Sequence, residues 1–235
     1  MCPIYFFMIF LTTLLLRKIC FGVVFFIISL NNNEFSLTHH NNKNLFLSSY
    51  MILPIYLYGH PVLRKVSTEI DSSYPELSSL IENMKETMYA SDGIGIAAPQ
   101  VGKNIRLIYI DASCLADTFP ELANCKMVLI NPVLTVIEDG KRETREEGCL
   151  SLPGIHENVS RIEKVNLKWQ DENFEQHEQV FEGYFARVLQ HEYDHLEGRV
   201  FTDHISNIRR QLISGKLKKI VDGKIRCSYR TRGVK

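Results

Sequence analysis

Cysteine is scarce. Six residues in a chain of 235 are too few for a disulfide scaffold. Net charge is absent, since 27 Lys and Arg balance 27 Asp and Glu. Glycine shows no collagen-like period, no internal repeat runs through the chain, and 45% hydrophobic residues exclude wholesale disorder. Apolar runs are too few for a polytopic membrane protein. The charge balance conceals an uneven placement. Residues 61–203 hold 14 basic and 25 acidic residues, whereas residues 204–235 hold 10 basic residues against Asp222 alone. The chain therefore reads as an apolar leader, an acidic body and a basic tail.

Within residues 1–30 the only charges are Arg17 and Lys18, which split the stretch into two runs, each shorter than the ~20 residues of a spanning helix. Position and length suit a signal peptide or a signal anchor. Residues 31–55 begin with an Asn- and His-rich, acid-poor stretch without helical or strand period, which suits a transit or linker segment. Together the two segments resemble the bipartite leader of a plastid reached through the secretory route. The expected location is a plastid stroma of apicoplast type, with the mitochondrion second.

In the body, residues 75–90 carry Leu77, Leu80, Ile81, Met84 and Met88 at helical spacing. Residues 92–102, with three Gly and a Pro, are expected to form a loop. Strands are expected at 105–111, 127–130, 133–138, 161–169 and 175–182, with 111–125 irregular. Helical spacing returns at 183–196 and again at 206–220, where Gly215 is a weak point. Strands precede helices rather than alternating with them, so the class is α+β.

The strongest motif is QHEYDHLEG, Gln190 to Gly198. On a helix His191 and His195 fall on one face and can reach one metal ion, with Glu192 beside that face as a general base for a coordinated water. A catalytic site needs a third protein ligand and an open position. The extended HExxHxxGxxH pattern fails, because Phe201 stands where its last His would be. Asp203 and Asp222 lie in no suggestive context. Cys149, within EEGCLSLPG, is the better candidate, since a thiolate binds zinc or ferrous iron strongly. A third segment, GIGIAAPQVG from Gly93 to Gly102, lacks both the strand-GxGxxG-helix setting and a following GK[ST]. It offers close backbone approach at Gly93 and Gly95 and a side-chain amide at Gln100.

The three segments GIGIAAPQ, EGCLS and QHEYDHLEG, in this order, resemble the peptide deformylase family. YGHPVLR at residues 58–64 is similar to that family's domain start, and the resemblance runs over about residues 56 to 220. It implies mixed and antiparallel strands packed around a central helix that carries HExxH. It implies one divalent metal per chain, bound by Cys149, His191 and His195. Fe(II) is the expected metal, and zinc or nickel can take the site. The implied activity is hydrolysis of the formyl group from the N-terminal formyl-methionine of new polypeptides, releasing formate. The family's roles would give the Gln100 amide and the Leu150 backbone N–H to the oxyanion, and Glu192 to proton transfer. The backbone at Ile94 and Gly95 would pair with the substrate as an added strand. Val188, one turn before Glu192, would wall the methionine pocket. Glu147 and Arg161 match the family as a charge pair suited to orienting a ligand. Residues 56–205 are thus expected to be the catalytic domain, and 206–235 a C-terminal helix and basic tail.

Two other readings stay open on the residues alone: an HExxH zinc peptidase with a ligand downstream of His195, and a non-catalytic ribosome-associated module. The expected partners are formyl-methionyl nascent peptides and, through the basic tail, an organellar ribosome; direct DNA binding is not expected. No motif residue lies in 221–235, so loss of these residues should leave turnover on a short formyl peptide intact.

Overall fold

The structure is a computed structural model that describes residues 50–138 and 141–234; the leader expectations for residues 1–49 lie outside them. In chain order the strands are β1 (Ile55–Tyr56), β2 (Gly95–Ala97), β3 (Leu107–Asp111), β4 (Lys126–Val136), β5 (Arg142–Gly148), β6 (His156–Ile162), β7 (Lys164–Gln170), β8 (Gln176–Glu182) and β9 (Thr231–Arg232). The helices are α1 (Leu77–Ala90), α2 (Gly183–Leu196) and α3 (Asn207–Val221). An antiparallel sheet runs in the order β2-β3-β4-β7-β8, β5 and β6 form a separate hairpin, and β1 pairs in parallel with β9. The class is α+β, with α2 at its centre. No helix among the described residues is long and apolar enough to cross a membrane.

Strand β3 explains the layering. Its run Leu107–Ile110 is buried throughout, as expected of a strand covered on both faces. Leu107 and Tyr109 pack with Met84 and Met88 of α1. Ile108 and Ile110 pack with Phe185 and Leu189 of α2. The sheet is thus clamped between two helices, and α2 sits on the face that bears the site. Helix α2 ends where the Gly198 N–H bonds the His195 carbonyl at 3.3 Å and the Arg199 N–H bonds the Asp194 carbonyl at 2.8 Å. Gly198 takes φ +67° there, the left-handed stop that glycine makes at low cost.

Several local expectations change. The strands expected at 127–130 and 133–138 are one strand, β4, with a bulge between Ile130 and Val133. Asn131 enters the left-handed region at φ 49°, and its side chain holds both the N–H and the carbonyl of Ile70. An Asn-Pro pair looks like a strand end in sequence, but Asn tolerates this conformation inside a bulge. The strand expected at 161–169 divides at Glu163, leaving β6 in the hairpin and β7 in the large sheet. The glycine-rich loop contains β2, because Gly95–Ala97 pairs with Ile110–Ile108 of β3. The C-terminal region is packed into the body: Ile213, Leu217 and Ile220 of α3 join a core with Leu57, Val159 and Phe201.

Candidate active site

Helix α2 places His191 and His195 on one face, and the β5–β6 hairpin carries Cys149 to them. The ligand atoms of Cys149, His191 and His195 all lie within 4.8 Å of one another, with Cys149 Sγ 3.3 Å from His195 Nε2. His195 is fully buried. The His191 Nδ1 is engaged by Glu147 Oε2 at 3.0 Å, which leaves its Nε2 for the cluster. Glu147 is itself clamped. Arg161 reaches it with Nε at 2.7 Å and Nη2 at 3.0 Å, and Arg187 Nη1 at 2.7 Å. Arg161 also donates to Asp194 at 2.9 Å, and His204 lies 2.8 Å from the same carboxylate oxygen.

The electrostatics favour a cation among these donors. Burial raises the Cys149 thiol pKa, but His195 and His191 outweigh it and bring it down to about 5. Burial lowers the His191 pKa, yet Cys149 and Glu147 hold it well above the ordinary value. The lowered thiol pKa favours the thiolate, the form that binds a metal, at a point where two imidazoles converge. One sulfur and two nitrogens suit zinc or ferrous iron, so the residues present fit a divalent metal.

Around this cluster lies a cavity of about 500 Å³. Eight of the nine residues expected at the site line it: Ile94, Gly95, Gln100, Cys149, Leu150, Val188, His191 and Glu192. The ninth, His195, sits buried behind them. Glu192 is only 5% exposed, and its Oε2 has no hydrogen-bond partner. Burial raises its pKa, against the lowering pull of His191 and His195. Gln100 is fixed by the Ala97 N–H, which donates to its Oε1 at 2.8 Å. Its Nε2 thereby lies 3.5 Å from Cys149 Sγ and 3.4 Å from Ser151 Oγ. Strand β2 is a sheet edge, so its outer side is open to an added strand.

Sequence reasoning found the Glu147–Arg161 pair but missed Arg187, Asp194 and His204, which complete its network. Arg187 lies one turn before His191, a spacing that could have flagged it. Beyond residue 220, where no motif lies, Arg226, Cys227, Ser228 and Tyr229 also line the cavity. Asp203, weighed as a downstream ligand, is instead paired with Arg64 and bonded to the Val200 N–H.

An HExxH helix, a cysteine brought beside it and a buried glutamate at a cavity floor define a metal-dependent hydrolase. The family model for polypeptide deformylase matches residues 52–211. A peptide deformylase of Christiangramia forsetii is 44% identical over 189 residues, spanning 77% of this chain and 96% of the relative. The crystal structure of peptide deformylase from Thermotoga maritima superposes with a TM-score of 0.59 at 40% identity, over 66% of this chain and 99% of that one. Peptide deformylase 1B of Arabidopsis thaliana gives a TM-score of 0.64 at 33% identity, over 73% and 92%. The chain belongs to the peptide deformylase family.

Proposed function

We propose that this deformylase holds Fe(II) through Cys149, His191 and His195 and acts on formyl-methionyl nascent chains in a plastid-type stroma. As a family member the protein is a metal-dependent hydrolase that removes the N-formyl group from newly made polypeptides. The reaction breaks the formamide C–N bond, adds water across it, and releases formate and a free amine. The observation that carries the site reading is the convergence of the three ligand atoms beside a buried, unpartnered glutamate oxygen.

A divalent ion held by Cys149, His191 and His195 would supply Lewis acidity to the hydrolysis. Glu192 takes the proton of the attacking water and returns it to the leaving amine; its dry setting raises its basicity for that task. The Gln100 amide and the Leu150 N–H receive the developing negative charge on the formyl oxygen. Ile94 and Gly95 pair with the peptide along the β2 edge, and Val188 walls the methionine side chain. The Glu147 carboxylate, anchored by two arginines, fixes the His191 ring.

Leader character supports entry to a plastid by the secretory route. The basic residues after 204 support a sequence-independent hold on ribosomal RNA phosphate near the nascent chain. Iron is tested by loading the protein with Fe(II) or Zn(II) without oxygen and following formate release. The Fe(II) form should turn over faster and lose activity in air as thiolate and metal oxidise. Equal air stability of both forms, or faster turnover with zinc, would overturn the iron assignment.

A further inference from the structure

The segment after α3 contains none of the three motifs, yet it forms a wall of the cavity and is tied down at both ends. At one end Ile225 packs against the core that contains Leu57, Val159 and Phe201. At the other, the Arg230 carbonyl accepts from the Ile55 N–H at 2.9 Å and the Arg232 carbonyl from the Leu57 N–H at 2.9 Å. Arg230 Nη1 adds a bond to the Ile52 carbonyl at 3.1 Å. Between these anchors the Tyr229 hydroxyl donates to the Leu150 carbonyl at 2.7 Å.

Leu150 follows the cysteine ligand directly, and the stretch around it is pinned residue by residue. The Leu152 N–H bonds the Cys149 carbonyl at 2.9 Å, and the Tyr58 N–H bonds the Ser151 carbonyl at 2.8 Å. Gln100 reaches the Ser151 hydroxyl. Tyr229 secures the carbonyl between those two. The Leu150 N–H shares a peptide plane with the Cys149 carbonyl, which the Leu152 N–H holds, and Tyr229 holds the next plane; with both planes fixed, φ and ψ of Leu150 are narrowed and the N–H direction with them. Burial raises the phenol's pKa, which keeps the hydroxyl a donor.

We propose that Tyr229 is a positioning residue for deformylation, its hydroxyl holding the Leu150 backbone so that the Leu150 N–H meets the oxyanion. This rests on the oxyanion role given to Leu150 above. A misplaced donor weakens stabilisation of the transition state more than binding of the ground state.

The test compares Tyr229→Phe with Arg230→Ala. The first keeps the ring and removes only the hydroxyl. The second removes a side-chain anchor of the same segment without touching Leu150. Metal content, thermal midpoint, and kcat and KM on a formyl-methionyl tripeptide are measured for both and for the unsubstituted protein. Tyr229→Phe should lose about 10-fold to 100-fold in kcat, with KM within about twofold and metal content unchanged. Arg230→Ala should keep kcat per bound metal. Unchanged kcat in Tyr229→Phe overturns the proposal. So does an equal kcat loss in Arg230→Ala, or loss of fold or metal in Tyr229→Phe, because each assigns the contact to stability alone. If the unsubstituted protein released no formate, the deformylase reading itself would fall, a distinct outcome.

Discussion

At the scale of single residues, the site depends on one missing side chain. A Cβ built on Gly95 would meet Glu192 Oε1 at 2.5 Å and Cδ at 2.8 Å. Glycine therefore lets strand β2 pass close to the glutamate, within the one pocket where the proposed function puts both substrate backbone and base. Gly95→Ala should leave the fold intact, since the clash falls on a side-chain end, but push the carboxylate out of line. The expected loss in kcat is about 10-fold to 100-fold, with metal content unchanged. Gly148→Ala is the contrast: its Cβ would meet the exposed His156 ring at 2.7 Å, which can turn to solvent, so kcat should stay near that of the parent. Steady-state formate release from both variants checks this, and equal kcat values would remove Gly95 from the account. Residues such as His191, Glu192 and His195 were legible in the sequence because their helical spacing alone puts them together. Tyr229 was not, because its contact with Leu150 joins residues 79 positions apart, and no local period encodes such a meeting.

At the scale of elements, the hairpin and α2 are bonded through buried charge. Burial alone would raise the pKa of Glu147, but its bonds to His191 and Arg161 hold it well below the usual carboxylate range. Asp194 is likewise lowered by His204 and Arg161 against the effect of burial. A carboxylate with a depressed folded pKa contributes stability above its unfolded value, roughly 4 for these groups. That contribution is lost as pH falls from there toward the folded pKa. Thermal midpoints should therefore drop steeply below about pH 4. Glu147→Gln should make that drop shallower while lowering the midpoint at pH 7, because two buried guanidinium groups would then face a neutral amide. An unchanged acid limb in the variant would show that the network does not couple to folding. The helices were readable from their apolar faces, and α1 begins within two residues of the expected start. The hairpin was not, since its burial alternates with charge that looks like a solvated surface: Glu147, Glu157 and Arg161 are all buried polar residues, satisfied by the cross-strand Glu147–Arg161 pair and by Arg187, Asp194 and Arg209 from the helices.

At the scale of the whole molecule, the tail does two things at once. Its charge is concentrated after residue 204, and its last strand returns to the start of the body, where Thr231 and Arg232 pair with Ile55 and Tyr56. Composition revealed the first property. The second is a matter of chain closure, which a two-residue strand without an apolar pattern does not announce. Truncation after residue 220 would thus remove a cavity wall together with five of the ten basic residues.

In the proposed mechanism Cys149, His191 and His195 hold the metal while Glu192 moves the proton. Its most direct measurement is bound metal and formate release, determined side by side on anaerobically purified residues 50–235, Cys149→Ala and Glu192→Gln. The parent should bind about one metal per chain and release formate steadily. Cys149→Ala should lose most of its metal, and Glu192→Gln should keep its metal while turning over ~10²-fold more slowly or worse. Full metal retention by Cys149→Ala, or near-parental turnover by Glu192→Gln, would contradict it.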